Sequence, residues 1–306
     1  MGDPSGIGPE IISKALPRIK DLADFVIIGD SRIFNKTSRF KLLAPNFTFI
    51  DLANVFIKRF QWGKVSSVYG RASIEYLDRA LELWRRDQID CLVTCPISKE
   101  SIHKAGFTFS GHTEYLAQAL HCKDTVMMLL NDRIKISLVT RHIPFKDVSR
   151  ALTRRKIANA ILASAAFLKK VYALKCPRVV VCGLNPHASD NGVIGSEENR
   201  IIAPVVRRLR RTIPRLEGPL PADVALAKAC DTQFDCAIAM YHDQALIALK
   251  VLGDKAGVNL TLGLPFIRTS PLHGTAFDIA GRGLASPDSL IAAIKCAIYC
   301  ATNRHF

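Results

Sequence analysis

Short runs of Val, Ile and Leu recur along the chain, each with polar residues just past its carboxyl end. "DFVIIG" (24–29), "CLVTCPI" (91–97), "VMMLL" (126–130), "KISLVT" (135–140), "RVVVCGLN" (178–185) and "CAIAMY" (236–241) are all strand-sized. Between them lie longer stretches, 73–87, 155–173 and 286–303, with apolar residues three and four apart. That spacing predicts amphipathic helices, the last opened by Ser286 at the N-cap and Pro287 at the first helical position. Near-continuous apolar strands alternating with helices predict an α/β fold with largely parallel, doubly wound sheets. No repeat, low-complexity tract or Pro/Gly linker marks a clean boundary, so domains that the chain leaves and re-enters are expected.

Composition narrows the class. At 306 residues, with 49% hydrophobic and 23% charged, the chain can bury the core of two α/β domains. Its longest apolar runs fall well short of the roughly 20 residues of a membrane span. The N-terminus lacks the order of a secretory signal, and a cytoplasmic location with no membrane partner is expected. The net charge of +15 is scattered over "RRLRR" (207–211), residues 150–156 and "LWRRD", each one basic face of a helix. Without aromatic interleaving or finger spacing, these read as solvated helix faces, with attraction of small anions as a secondary effect. The nine cysteines stand in apolar segments without C-x-x-C spacing, Cys296 and Cys300 on one helix face, and read as reduced core residues.

Chemistry concentrates in the histidines. His142, His187 and His242 each follow a predicted strand, and ligands of open α/β sheets bind outside the carboxyl ends of strands. Three imidazoles there could leave open positions on a divalent ion; each could equally be a loop histidine satisfied by backbone. "GHTE" places His112 and Thr113 at a helix start, suited to a phosphate or carboxylate, or to simple capping. Lys250, Asn259 in "GVNLT" and Arg268 in "LPFIRTS" could grip a phosphorylated acid, Arg268 through a bidentate fork. The opening "GDPSGIGPE" is a glycine turn running into a helix, and its glycines at 2, 6 and 8 fit neither a Rossmann fingerprint nor a P-loop.

Taken in order, "GDPSGIGPE", "CPISKE", "GHTEYL", "TRHIPF", "CGLNPHA", "GPLPAD", "MYHDQ", "GVNLTLGLPFIRTS" and "HGTAFDIAGRG" closely resemble the 4-hydroxythreonine-4-phosphate dehydrogenase family of pyridoxal phosphate synthesis. The first and last, extended to "HGTAFDIAGRGLASP", also resemble loops of isocitrate and isopropylmalate dehydrogenases. The resemblance implies two α/β/α domains of that dehydrogenase type. A cofactor-side domain would span 1–110 plus 262–306, and a metal, substrate and dimerisation domain 111–261. It implies His142, His187 and His242 as ligands of one divalent ion (Zn, Mg, Mn or Co), and His112, Thr113, Lys250, Asn259 and Arg268 as substrate-binding groups. Gly6, Gly8, His273, Gly274, Thr275, Ala276 and Asp278 would line NAD or NADP. A homodimer with its active site at the subunit interface is implied, and a small phosphorylated substrate.

The implied reaction is oxidation of 4-phosphohydroxy-L-threonine at C3 to a β-keto acid that decarboxylates to 3-amino-2-oxopropyl phosphate. The divalent ion would acidify the C3 hydroxyl. Asp243, Asp223 and Lys99 are candidate bases. D-threonate or D-erythronate 4-phosphate is the alternative substrate within the family, and a non-catalytic basic nucleic-acid-binding protein the alternative outside it. Family members carry a short apolar strand directly before "GDPxGIGPE". With Met1 at its last position, that strand is expected to be missing, about ten residues lying upstream on the length of a mean strand and its approach. Cys95 stands where glycine is usual, and residues 31–70 are short and divergent.

Overall fold

The structure, a computed structural model, describes residues 1–37, 46–109, 111–252 and 256–303. It opens with helix α1 (Gly8–Ile19), strand β1 (Phe25–Gly29), α2 (Ser31–Thr37), β2 (Phe47–Asp51), α3 (Ser67–Arg85), β3 (Cys91–Val93), α4 (Lys99–Lys104) and α5 (His112–Ala119). Then come β4 (Val126–Leu130), β5 (Lys135–Leu138), α6 (Val148–Ala151), α7 (Arg154–Tyr172), β6 (Val179–Cys182), α8 (Ala203–Leu209) and β7 (Leu216–Leu220). The chain closes with α9 (Ala222–Cys230), β8 (Cys236–Ala239), α10 (His242–Leu252), β9 (Val258–Leu262), β10 (Ile267–Pro271) and α11 (Asp288–Thr302). Two compact units divide it: Met1–Lys123 with Leu264–Ala301, and a second centred on Asp124–Gly263. Ser110, the expected end of the first domain segment, and part of the divergent 31–70 stretch lie outside the described residues.

In the first unit β1 pairs with β2 and β3 with β10, both in parallel. Phe34, Ile33 and Tyr76 pack one core cluster beneath β1, while Ile11 and Ile19 of α1 meet Leu290 and Ile291 of α11 in another. The Met1 amine is buried against β1, donating to the Ile28 carbonyl at 2.8 Å, and its pKa is lowered by that burial. The strand expected over 91–97 stops at Val93, because Pro96 has no N–H to give a ladder; Thr94 still donates to the Thr269 carbonyl at 3.0 Å.

In the second unit the strand order is β9-β4-β5-β8-β6-β7. β5, β8, β6 and β7 run parallel. Strand β4 opposes both of its neighbours. Towards β5, residues 131–134 are the reason: so short a link allows a hairpin but not a crossover. Asn131 Oδ1 closes that turn, accepting from the backbone N–H of Arg133 and Ile134 at 2.9 and 3.0 Å. Strands β4, β6 and β8 are buried along their whole length, as strands covered on both faces are. Ile157, Ile161 and Leu168 form the buried stripe of α7. Thr153 caps that helix, accepting from Lys156 N–H at 3.2 Å.

The fold is thus mixed α/β with mostly parallel pairing, as expected. The cysteine expectation needs a correction. All nine are free, but only Cys95, Cys182, Cys236 and Cys300 are buried, and Cys176 is exposed. It sits between Lys175 and Pro177 just ahead of β6, in a connection that water reaches. No helix among the described residues is long and apolar enough to cross a membrane.

Candidate active site

Three neighbouring parallel strands of the second unit, β5, β8 and β6, deliver the three histidines past their carboxyl ends. Thr140 ties the first turn to the third, its N–H and hydroxyl both donating to the Met240 carbonyl, at 3.2 and 2.7 Å. The rings of His142 and His242 lie 5.2 Å apart at 45°. Asp243 Oδ1 is 2.6 Å from His242 Nδ1, which leaves Nε2 of that ring for a ligand. His187 is not brought to this pair: among the described residues no group of three or more His, Cys, Asp or Glu side chains could hold a metal ion. His187 instead starts six consecutive residues with positive φ, His187 to Gly192.

A carboxylate pair that sequence reasoning missed holds the His187 loop. Glu198, 1% exposed, accepts from the backbone N–H of Leu184 and Asn185, each at 2.8 Å. The Asn185 amide donates to both Glu197 and Glu198, at 2.9 and 2.8 Å. Hydrogen bonds from Ser149 and Asn185 pull the Glu197 carboxyl down to about 2. A single π turn over Glu198–Ile202 carries Glu198, a local rewinding that often marks functional loops. Gln244 links the His187 and His242 turns, accepting from Met240 N–H at 2.7 Å and donating to the Gly183 carbonyl at 2.9 Å. The quoted motifs "GLNPH" and "MYHDQ" contained Asn185 and Gln244; "SEEN" offered no sign beyond its charge.

Asn259 lies on β9, and its buried Oδ1 has no hydrogen-bond partner among the described residues. Lys250 is exposed in the last turn of α10. Asp223 is exposed at the start of α9, Lys99 at the start of α4, and Asp243 beside His242.

In the first unit Arg268 is a strand residue of β10, 2% exposed. One guanidinium nitrogen donates to Thr94 Oγ1 at 2.7 Å and another reaches Thr113 Oγ1 at 3.5 Å. Burial lowers its pKa to about 10, with Glu114 opposing, so it stays cationic at neutral pH. Burial, and then the Arg268 cation, hold His112 well below 6.5, so its imidazole is neutral beside a fixed positive charge. A desolvated cation flanked by hydroxyls and a neutral imidazole is suited to a phosphate or carboxylate, where low dielectric strengthens the attraction. Thr94 was missed as a site residue, although it lies inside the apolar run that announced β3.

The segment from His273 to Asp278 is irregular. His273 Nε2 is buried without a hydrogen-bond partner among the described residues. A side chain at Gly274 would meet open space. The orphaned imidazole nitrogen and the open backbone fit a bound cofactor edge. Gly6 and Gly8 are buried; a Cβ at Gly6 would stand 3.1 Å from the Thr275 carbonyl, and one at Gly8 would collide with that of Met1.

Comparison with known proteins gives a consistent family. The family model described as "Pyridoxal phosphate biosynthetic protein PdxA" matches residues 20–297. A 4-hydroxythreonine-4-phosphate dehydrogenase of Sulfurihydrogenibium sp. (strain YO3AOP1) is 41% identical over 97% of this chain and 96% of its own. A D-threonate 4-phosphate dehydrogenase of Salmonella typhimurium is 39% identical, covering 98% and 97%. The crystal structure of 4-hydroxythreonine-4-phosphate dehydrogenase from Klebsiella pneumoniae superposes with a TM-score of 0.88 at 36% identity, over 98% of this chain and 96% of that one. Isocitrate dehydrogenase from Methylococcus capsulatus, at 16% identity, 97% and 83% coverage and a TM-score of 0.52, shares the fold.

Proposed function

The chain belongs to the PdxA family of pyridoxal phosphate biosynthetic proteins, and we propose that this dehydrogenase oxidises 4-phosphohydroxy-L-threonine at C3, using NAD or NADP and one divalent ion. The observation that carries the reading is the buried Arg268, charged yet withdrawn from water, beside neutral His112 and the hydroxyls of Thr94 and Thr113. A buried cation flanked by hydroxyls suits an anionic ligand, and phosphate fits its fork.

His112, Thr113, Lys250, Asn259 and Arg268 bind the substrate, Lys250 and Arg268 holding its phosphate. Held remotely from the reacting carbon, the phosphate turns binding energy into orientation. His142, His187 and His242 would hold the divalent ion, which lowers the pKa of the C3 hydroxyl when bound. His142 and His242 support this by lying together with an imidazole nitrogen of His242 left open. NAD or NADP, when bound, would accept the C3 hydrogen as hydride; the hydroxyl proton would go to a base, and the β-keto acid would lose its carboxylate as carbon dioxide, the carbon so freed taking up a proton. Asp243, Asp223 and Lys99 remain the candidates for that base, all exposed in one chain.

A homodimer completes the reading. Large apolar side chains are exposed on the segments that carry the three histidines: Phe145 near His142, Val193 near His187, and Ile247 and Val251 on the helix begun by His242. A second copy covering them would bring a further set of imidazoles to the site and dry it. Cytoplasmic location follows from this biosynthetic role.

D-threonate 4-phosphate is the second reading, favoured by the Salmonella relative; it shares the phosphate and differs at C2. The test is nicotinamide reduction by the purified protein with 4-phosphohydroxy-L-threonine, D-threonate 4-phosphate and D-erythronate 4-phosphate, each with and without chelator. Chelator-sensitive turnover fastest on the amino acid supports the proposal. A faster sugar-acid phosphate reassigns the substrate, and no turnover on any overturns the reading.

A further inference from the structure

Glu10 and Lys14 stand one turn apart on α1, and together they grasp two residues some 270 positions away. Glu10 is 2% exposed. Its Oε1 accepts from Ala285 N–H at 2.8 Å, and its Oε2 from Gly283 N–H at 3.2 Å. Lys14 Nζ donates to the carbonyls of the same two residues, at 2.8 Å to Gly283 and 2.7 Å to Ala285, and to Glu10 Oε1 at 2.9 Å. The backbone N–H and C=O of both residues are thereby met by one ion pair.

The segment so held has no regular ladder of its own. Gly281 and Gly283 both take φ of +74°, and a Cβ on Gly281 would enter the Trp62 ring. Backbone polar groups in such a turn need partners from outside. Its start is fixed from the turn that opens the same helix: Ile7 N–H donates to the Thr275 carbonyl at 3.0 Å, against which Gly6 packs without a side chain. The loop from Thr275 to Ala285 is therefore pinned at both ends to the "GDPSGIGPE" turn and the helix it opens. This explains why two motifs far apart in the chain act as one piece.

We propose that Glu10 and Lys14 are positioning residues for the dinucleotide: they set its affinity by holding the His273–Ala285 loop in shape, without touching it. Gly6 and Gly8 contribute in the same indirect way, as packing positions. The inference rests on the assignment of His273, Gly274, Thr275, Ala276 and Asp278 to the cofactor. A carboxylate and an ammonium that satisfy four backbone groups cannot lose one member without leaving the other unpaired.

The test compares wild type with K14M, K14R and E10Q. NADH binding is measured by fluorescence on substrate-free protein, and KM for NAD and for the phosphorylated substrate, melting temperature and amide exchange at Gly283 and Ala285 are recorded beside it. Lys14 is 34% exposed, so K14M guards against a fold lost with the buried Glu10. K14M and E10Q are expected to weaken NADH binding about tenfold and to speed exchange at both amides. Substrate KM is expected to stay within about twofold, and K14R to bind NADH as wild type does. Unchanged NADH affinity in folded K14M and E10Q overturns the proposal, as does an equal rise in both KM values. Wild type that binds neither NADH nor NADPH overturns the cofactor assignment itself, a result no clasp variant can mimic.

Discussion

Arg268 donates to the hydroxyl of Thr94 at 2.7 Å, in a place where both side chains are all but closed to water. The contact links the residue just past β3 to the second residue of its parallel neighbour β10. It fixes one arm of the buried guanidinium. Thr94→Val keeps the shape and removes the acceptor, leaving a donor of a charged group short of a partner at a cost of about 1–3 kcal/mol. KM for the phosphorylated substrate is expected to rise about tenfold with Thr94→Val and to stay near wild type with Thr94→Ser. Steady-state kinetics on the two variants checks this, and equal KM values in both would remove Thr94 from the site.

Arg268→Lys keeps the charge but not the fork. Bidentate recognition of phosphate needs the planar guanidinium, so kcat/KM is expected to fall by about two orders of magnitude, while NADH affinity is untouched. Titration of NADH into both proteins, beside kcat/KM, separates substrate from cofactor effects.

His112 makes stability depend on pH. Its folded pKa lies below 6.5 because burial and Arg268 disfavour the imidazolium. The unfolded chain therefore binds the extra proton first as pH falls below 6.5, and stability is lost from there down toward the folded value. His112→Asn, which carries no proton in either state, is expected to lose less stability between pH 7.5 and 5.5 than wild type. Denaturant melts at the two pH values give the difference; equal losses would contradict the assignment.

The Glu197 carboxylate works in the opposite range. Held down to about 2 from 4.5 by Ser149 and Asn185, it contributes stability that is complete above pH 4.5 and lost as pH falls through about 2. Ser149→Ala is expected to shrink that contribution, so the variant loses less stability than wild type on going from pH 5 to pH 3. Melting curves at those two pH values test it.

The dimer proposal couples assembly to metal binding. Val251, 77% exposed on α10, lies on the helix that His242 opens, so Val251→Asp is expected to give monomers with less bound metal, through a charge placed in an apolar contact. Sedimentation and elemental analysis on the same sample check both. Monomers that retain full metal would show that one chain suffices.

Much of this was legible along the chain. Apolar runs followed by histidine announced β5, β6 and β8 and their loops, because strands buried on both faces tolerate little else. Strands β9 and β10 were not announced: Asn259 and Arg268 interrupt runs of only five residues, and their polar groups serve the site rather than a solvated face. The reversal of β4 was written in the length of residues 131–134, a turn signal weaker than the strand signal beside it. Glu10 with Lys14 and Glu198 with Asn185 lay beyond reach for another reason. Apart from the Asn185 amide and the Glu10–Lys14 pair itself, their partners are backbone groups, which leave no mark in sequence.

The central claim is most directly tested by measuring NADH and carbon dioxide together from 4-phosphohydroxy-L-threonine with metal-replete protein. Equal amounts of both, abolished by chelator and restored by a divalent ion, are predicted. NADH without carbon dioxide would leave a simple alcohol dehydrogenase, and neither product from folded dimer would contradict the account.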